Sequence, residues 1–237
     1  MPGDRTERVA CLGSSTTAAR GTYDWIAELA RRPQNNRFRF LKFGAGGDLS
    51  DNAVKRTGRV VEARPDRVIV LIGSNDIMAT VFPQFGRVAR LWKGLSGQPS
   101  PARFRRNLEE IVARLQRSTT ARIALSSLGP VGEDPHSTQP VQAHHNDLFA
   151  QYNSIIREVS LAHGTDYVPF YERFVARLEH VPGKPFTQFR FRRFYRDYLF
   201  REFLLHRSFD EIARMNGWEF HIDGVHLNSR GGQSWWR

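Results

Sequence analysis

Short apolar runs, each ending in a turn of glycine and small polar residues, constrain the fold of this chain most. Residues 9–12, 38–43 and 67–72 are three such runs, and two more, 121–127 and 167–169, follow later. Segments with apolar residues at helical spacing separate them. Because strands that alternate with helices pair in parallel, this pattern predicts an α/β fold with one parallel sheet and helices on both faces.

Helical spacing of apolar residues is clearest over 101–115 and 141–163. The stretch from 83 to 101 contains several glycines and prolines, so we predict an irregular surface excursion near the site. Near the end of the chain, SFDE at 208–211 has the pattern of a capping box, and Gly217 is a natural end for the helix that it starts.

The first apolar run leads into Gly13 and then small hydroxyl residues at 14–17. Gly13 permits a sharp turn that would lift Ser15 off the carboxyl end of the first strand. A serine in that place is a candidate nucleophile when a base and an oxyanion hole converge on it. Otherwise the segment is a turn that caps the next helix.

Two further turns carry residues suited to acyl transfer. The second run ends in GAGGD at 44–48 and the third in GSND at 73–76. Because ligands of open parallel sheets bind beyond the carboxyl ends of the strands, we expect both turns to lie beside Ser15. The N–H groups of Ser15 and Gly47 and the side-chain amide of Asn75 can then donate to an oxyanion. The simpler alternative is that Asn75 caps a helix.

A base for Ser15 is available near the end of the chain, where Asp223 and His226 form an Asp-x-x-His motif. The carboxylate can hold the imidazole that deprotonates the serine. Histidine suits this task because its unperturbed pKa is about 6.5. Taken alone, Asp223 is an ordinary turn residue and His226 an ordinary loop histidine.

Four motifs in this order resemble those of the GDSL/SGNH hydrolase family, and the resemblance covers nearly the whole chain. The motifs are LGSSTT at 12–17, GAGGD at 44–48, GSND at 73–76 and DGVHLN at 223–228. The resemblance implies one domain over 1–237, with a flavodoxin-like three-layer α/β/α fold of about five parallel strands. It also implies a carboxylic ester hydrolase, esterase- or lipase-like, that works without a metal or cofactor.

The resemblance assigns roles residue by residue. Ser15 would be the nucleophile that forms an acyl-enzyme, His226 the base and Asp223 its orienting partner. Ser15, Gly47 and Asn75 would form the oxyanion hole. Two alternatives stay open, namely an acyltransferase that uses the same site and a catalytically silent binding protein.

Two departures from the family pattern stand out. Ser14 occupies the position where the family usually has aspartate, and we expect activity to survive because this residue shapes the turn only. After the last motif the family usually continues into a helix packed on the sheet, whereas residues 229–237 follow here. We therefore expect a shortened C-terminal helix, with Trp235 and Trp236 covering part of the exposed face.

A basic and aromatic insertion at about 184–207 is the distinctive segment of the chain, and we predict it to be helical. Its aromatic and apolar residues fall at steps of three and four, and arginines fill many of the gaps. Three interpretations fit: a lid over an acyl pocket, a contact with an anionic membrane surface, or a helix packed on the sheet with its arginines in water. The residues at helical spacing are Phe191, Phe194, Tyr195, Tyr198 and Leu199.

The chain is strongly basic, with a formal net charge of +11. The arginines are scattered over many segments, which favours a solvated surface, and no nucleic-acid-binding motif is present. We therefore expect a small-molecule or lipid ester as partner and no nucleic acid. The single cysteine, Cys11, excludes a disulfide within the chain. The polar start leaves no room for a signal peptide and no apolar run could span a bilayer, so we expect a cytoplasmic protein.

Overall fold

The computed structural model describes residues 5–190, 192 and 196–235. Five parallel strands form one sheet in the order β2-β1-β3-β4-β5. Helices flank the sheet, which confirms the predicted α/β fold class. The strands are β1 (Glu7–Gly13), β2 (Phe38–Gly44), β3 (Arg67–Leu71), β4 (Arg122–Ser126) and β5 (Asp166–Val168).

The helices alternate with the strands, as expected for a parallel sheet. Among the described helices, none is long and apolar enough to cross a membrane. They are α1 (Ser15–Ala18), α2 (Trp25–Arg31), α3 (Ser50–Glu62), α4 (Ser74–Val81), α5 (Pro83–Lys93), α6 (Pro101–Ser118), α7 (Pro140–Ala162), α8 (Phe170–Leu178), α9 (Arg196–Leu204, with π-type turns), α10 (Phe209–Asn216) and α11 (Ser229–Gly232), with short 3₁₀ turns at Pro33–Asn35 and Gln233–Trp235.

The inner strand β1 is buried from Val9 to Gly13, which explains why it is a continuous apolar run rather than an alternating one. Cys11 lies inside this strand with no exposed surface. Burial raises the pKa of its thiol to about 12. Because the thiolate is the reactive form, Cys11 is an inert core residue.

The irregular excursion predicted over 83–101 is wrong for most of its length, because residues 83–93 form α5. Pro83 stands in the first turn of α5, where a missing N–H costs no hydrogen bond. A Cβ at Gly86 would lie 2.7 Å from the carbonyl oxygen of Ala79, so this glycine lets α5 approach α4. Gly94 ends the helix in the left-handed conformation. Only 94–100 lack regular structure.

The helix predicted over the insertion forms only in part. Residues 182–190 have no regular secondary structure, consistent with the prolines at 182 and 185. Residue 192 and α9 are helical. The predicted aromatic face cannot be traced, since Phe191, Phe194 and Tyr195 and the side chains of Tyr198 and Leu199 lie outside the described residues.

The end of the chain contains two of the predicted helix signals. Helix α10 has the predicted capping box, in which Ser208 and Glu211 exchange hydrogen bonds, and it ends at Gly217 as expected. After the last motif the chain forms α11 and the 3₁₀ turn Gln233–Trp235. The prediction that Trp235 and Trp236 cover part of the exposed face concerns groups outside the described residues, namely residue 236 and the side chain of residue 235.

Candidate active site

Ser15 lies in a tight turn between β1 and α1, because β1 ends at Gly13 and α1 begins two residues later. A Cβ at Gly13 would lie 2.1 Å from Oγ1 of Thr17 and 2.5 Å from the carbonyl oxygen of Leu71. Only glycine therefore fits the turn. Ser14 is the residue before the helix and is 7% exposed. Its side chain makes no capping hydrogen bond.

The loop after α10 brings Asp223 and His226 to Ser15. Nδ1 of His226 lies 2.9 Å from Oδ2 of Asp223, and Nε2 lies 3.2 Å from Oγ of Ser15. The other carboxylate oxygen of Asp223 accepts the backbone N–H groups of Val225 at 2.9 Å and His226 at 2.8 Å. The structure thus brings together three predicted residues that are up to 211 positions apart in the sequence.

The protonation of this trio follows from its surroundings. Burial alone would raise the pKa of Asp223, but the charge of His226 and hydrogen bonds from its ring and backbone lower that pKa below its usual value. Burial would lower the pKa of His226, but the charge and hydrogen bond of Asp223 outweigh burial and raise it. An ionised Asp223 accepts a proton-bearing Nδ1, which leaves Nε2 to accept the Ser15 hydroxyl in the neutral ring.

Gly47 and Asn75 lie in the turns after β2 and β3, the two strands that flank β1. Gly47 has a φ of +72°, a conformation that favours glycine. Asn75 is 9% exposed, and its Nδ2 donates to the carbonyl oxygen of Asp48 at 2.9 Å. Since an amide nitrogen carries two N–H groups, Asn75 retains one donor.

A buried ionic network holds the Gly47 turn against β1, and the sequence analysis missed it. Asp48 is 4% exposed and lies 2.7 Å from Nε of Arg56 and 2.9 Å from Nζ of Lys93. The Arg56 guanidinium also donates to the carbonyl oxygens of Gly13 and Phe43. One side chain therefore ties the carboxyl ends of β1 and β2 together. The sequence feature that could have revealed this network is Arg56, a charged residue on the face of α3 that packs against the sheet.

A second network, also missed, anchors the loop that carries His226. Glu133 is 1% exposed and accepts the backbone N–H groups of Glu219, Phe220 and His221. Its Oε1 also lies 3.0 Å from Nδ1 of His221. Nε2 of the same ring lies 3.1 Å from the carbonyl oxygen of Pro130.

The ring of His221 lies between two acceptor oxygens, with Oε1 of Glu133 at 3.0 Å and the carbonyl oxygen of Pro130 at 3.1 Å. Burial would raise the pKa of Glu133, but its hydrogen bond with His221 and the charge of that ring lower it. Glu133 and His221 thus form a fully buried hydrogen-bonded pair that links the loop after β4 to the segment before Asp223.

The fourth residue of the GSND motif has a structural role. Asp76 is 3% exposed and accepts the backbone N–H of Ser50 at 2.9 Å and its hydroxyl at 2.6 Å. These bonds satisfy N–H and hydroxyl groups in the first turn of α3.

Within the described ranges, no group of three or more histidine, cysteine, aspartate or glutamate side chains is placed to hold a metal ion.

Comparison with known proteins adds a family and a fold. The family model for the GDSL-like lipase/acylhydrolase family matches residues 11–233. No curated protein matches the chain in sequence.

Solved structures resemble the chain over most of its length. An α/β hydrolase enzyme from the metagenome of Lake Arreo, Spain, is 19% identical with a TM-score of 0.64, and the match covers 97% of this chain and 91% of that one. An acetyl xylan esterase is 20% identical with a TM-score of 0.62, covering 95% and 94%. An acetylxylan esterase from Geobacillus stearothermophilus is 15% identical with a TM-score of 0.59, covering 75% and 82%. At these identities the likeness shows the fold.

Proposed function

The chain belongs to the GDSL-like lipase/acylhydrolase family, and we propose that it hydrolyses carboxylic esters through an acyl-enzyme on Ser15. The observation that carries the proposal is the continuous contact from Asp223 through His226 to Ser15. A serine hydroxyl is a weak nucleophile unless a positioned base removes its proton. Here the base and its orienting carboxylate are both in hydrogen-bonding range.

In the first half of the proposed reaction, Oγ of Ser15 attacks the ester carbonyl while Nε2 of His226 takes the hydroxyl proton. Asp223 stabilises the resulting imidazolium. The tetrahedral intermediate collapses, the carbon–oxygen bond to the alcohol breaks, and His226 returns the proton to the leaving alcohol. In the second half, His226 removes a proton from water, whose oxygen attacks the acyl carbon. The bond between the acyl carbon and Oγ of Ser15 then breaks, His226 returns the proton to Oγ, and the acid is released.

The negative charge of the tetrahedral intermediate needs donors that are in place beforehand. The backbone N–H groups of Ser15 and Gly47 and the remaining amide N–H of Asn75 are the proposed donors. Their turns end three adjacent strands, and the ionic network around Asp48 and Arg56 holds two of these turns together. Fixed donors need no reorganisation when the charge develops.

The test is the hydrolysis of p-nitrophenyl acetate, butyrate and a longer-chain ester by the wild type, Ser15→Ala and Ser14→Ala. Acetate comes first because two of the structural neighbours are acetylxylan esterases. We expect Ser15→Ala to lower kcat by about 10⁴-fold or more, since losing a nucleophile of this type has that effect. The matched control Ser14→Ala removes an adjacent buried hydroxyl and should retain activity.

Other outcomes point to the alternatives. A folded wild type that is no faster than Ser15→Ala on every ester contradicts the proposal and favours a silent binding protein. An added alcohol acceptor that diverts most of the acyl group from water into a new ester favours an acyltransferase at the same site. The profile over chain length reports which acyl groups the pocket admits.

A further inference from the structure

A cavity of about 560 Å³ borders the loop that carries the proposed base. Asp223 and Val225 form part of its wall, and the next residue, His226, contacts Ser15. The rest of the described wall comes from residues 184–190, from Arg196, Asp197 and Arg201 of α9, and from Met215, Asn216 and Trp218. A volume of this size accommodates a small-molecule ligand group. The cavity therefore adjoins the loop that holds the proposed base.

Positive charge dominates the described wall of the cavity. Its cationic side chains outnumber its two carboxylates, those of Asp197 and Asp223. The carboxylate of Asp223 is hydrogen-bonded to the ring of His226 and to two backbone N–H groups. The cations are Lys184, Arg190, Arg196 and Arg201.

Two of these cations are held in fixed positions by Asp197, which is 5% exposed. Its Oδ1 accepts Nε of Arg196 at 2.8 Å and Nη1 of Arg201 at 3.0 Å. The amide of Asn216 donates to Asp197 at 2.8 Å and to the carbonyl oxygen of Ile222 at 2.9 Å. Since Ile222 precedes Asp223, the network is tied to the proposed catalytic loop.

The trio of Arg196, Asp197 and Arg201 leaves one positive charge uncompensated within it. Arg190 adds another, because its described hydrogen bond goes to the neutral side chain of Gln188. Guanidinium groups present planar sets of N–H donors that match the oxygens of a carboxylate or phosphate. Pre-organised guanidinium groups lose less entropy when such a group binds.

We propose that this cavity binds an oxyanion group, a carboxylate or a phosphate, carried by the substrate, so that the preferred ester is anionic. The proposal deepens the function proposed above and rests on it. Aromatic rings complete the wall, with Phe186 and Phe189 beside Trp218. Their apolar surface suits the hydrocarbon or ring that links the oxyanion to the ester.

The test compares esters that differ in charge but share the reacting group. Methyl 4-acetoxybenzoate is neutral, and 4-acetoxybenzoate and 4-acetoxyphenyl phosphate carry the two candidate oxyanions on the alcohol side. A second pair, 4-nitrophenyl methyl adipate and 4-nitrophenyl hydrogen adipate, places the charge on the acyl side, on a chain too long for its carboxylate to attack the ester readily. Each kcat/KM is divided by the hydrolysis rate constant of the same ester in buffer without protein, which corrects for differences in intrinsic reactivity.

We expect the wild type to prefer at least one anionic ester by about tenfold, the value of one good charge-assisted contact. Arg190→Gln should lower kcat/KM for that ester several-fold more than for its neutral partner, mainly through KM. The matched control is Arg117→Gln, which removes the same charge from an exposed position at the end of α6. Helix α6 leads into the amino end of β4, so this residue lies near the amino ends of the strands, whereas the site lies at their carboxyl ends.

Equal normalised rates for neutral and anionic esters on both sides, or an equal effect of Arg190→Gln on both members of a pair, would overturn the proposal. Calorimetry of 4-acetoxybenzoate binding to Ser15→Ala separates its failure from that of the esterase. If no ester turns over but the acid binds, and Arg190→Gln weakens that binding, the cavity proposal stands and the esterase proposal fails. Turnover of neutral esters without binding or preference for anions gives the reverse result.

Discussion

Replacing Glu133 by glutamine should damage the site without touching any group that contacts the ester. The carboxylate is buried, contacts the ring of His221 and accepts three consecutive backbone N–H groups. Glutamine has nearly the same shape but no charge, and its NH₂ group must replace one of the two oxygens. The least harmful orientation places that NH₂ against the N–H of Glu219, so two donors then face each other.

The expected cost follows from these contacts. A hydrogen bond to a charged group contributes about 1.5–3 kcal/mol, and a buried polar group without a partner costs about 1–3 kcal/mol. Glutamine weakens the contacts that the carboxylate makes and leaves the N–H of Glu219 without an acceptor. These costs overlap, so we expect the free energy of unfolding to fall by about 3 kcal/mol in total.

Denaturant unfolding of the wild type, Glu133→Gln and the exposed control Glu62→Gln measures this loss. The control should stay within about 0.5 kcal/mol of the wild type. We also expect kcat/KM of the folded fraction to fall by about 10²-fold, since a displacement of order 1 Å has that effect. Two more variants, His221→Gln and its combination with Glu133→Gln, complete a double-mutant cycle. The combined variant should cost less than the sum of the two single variants because the two side chains are in contact.

The reasoning is refuted if Glu133→Gln unfolds with the free energy of the wild type, or if the two single variants are additive. Hydrogen exchange of the wild type covers the case in which the variants fail to fold. The N–H groups of Phe220 and His221, which donate to the buried Glu133, should exchange slowly. Fast exchange of both would contradict the anchoring role of Glu133.

Two further predictions concern stability. Burial lowers the pKa of His145 to about 4, so the unfolded chain gains a proton before the folded one as pH falls. Stability should therefore drop between pH 6.5 and 4 by up to about 3 kcal/mol, and denaturant unfolding of His145→Leu should lack this part of the drop. Ala at Gly44 would place a Cβ 2.1 Å from the backbone nitrogen of Ala18, whereas Gly58 in α3 has open space around it. Gly44→Ala should therefore lower Tm strongly, while Gly58→Ala should stabilise the helix by about 1 kcal/mol.

The sheet could be predicted from the sequence because its strands appear as short, mostly apolar runs, most clearly β1, which is buried from Val9 to Gly13. The predicted irregular stretch failed at α5 because the glycine and proline there have positional roles. Pro83 occupies a first helical turn and Gly86 permits close packing against α4. Composition alone does not distinguish such positions from a loop.

The proposed catalytic residues were accessible to sequence analysis because each sits in a local motif whose place at a strand end follows from the fold class. The groups that hold these catalytic residues in place could not be predicted from the sequence. Glu133 and His221 are 88 positions apart, and neither residue is unusual in its own segment. Their relation is tertiary, so only coordinates reveal that the loop before Asp223 is tied to the loop after β4.

The contact between Ser15 and His226 joins two parts of the chain that are held by separate networks. Helix α1 has only four residues and cannot fix Ser15 by itself. A third set of bonds connects the parts directly, since the buried hydroxyl of Thr22 accepts the N–H of Leu227 at 3.2 Å. The N–H of Tyr23 donates to the Leu227 carbonyl at 2.8 Å. Because Leu227 follows His226 immediately, these bonds set the separation of the proposed base and nucleophile. Thr22 therefore supports the site, although it lies in none of the four motifs.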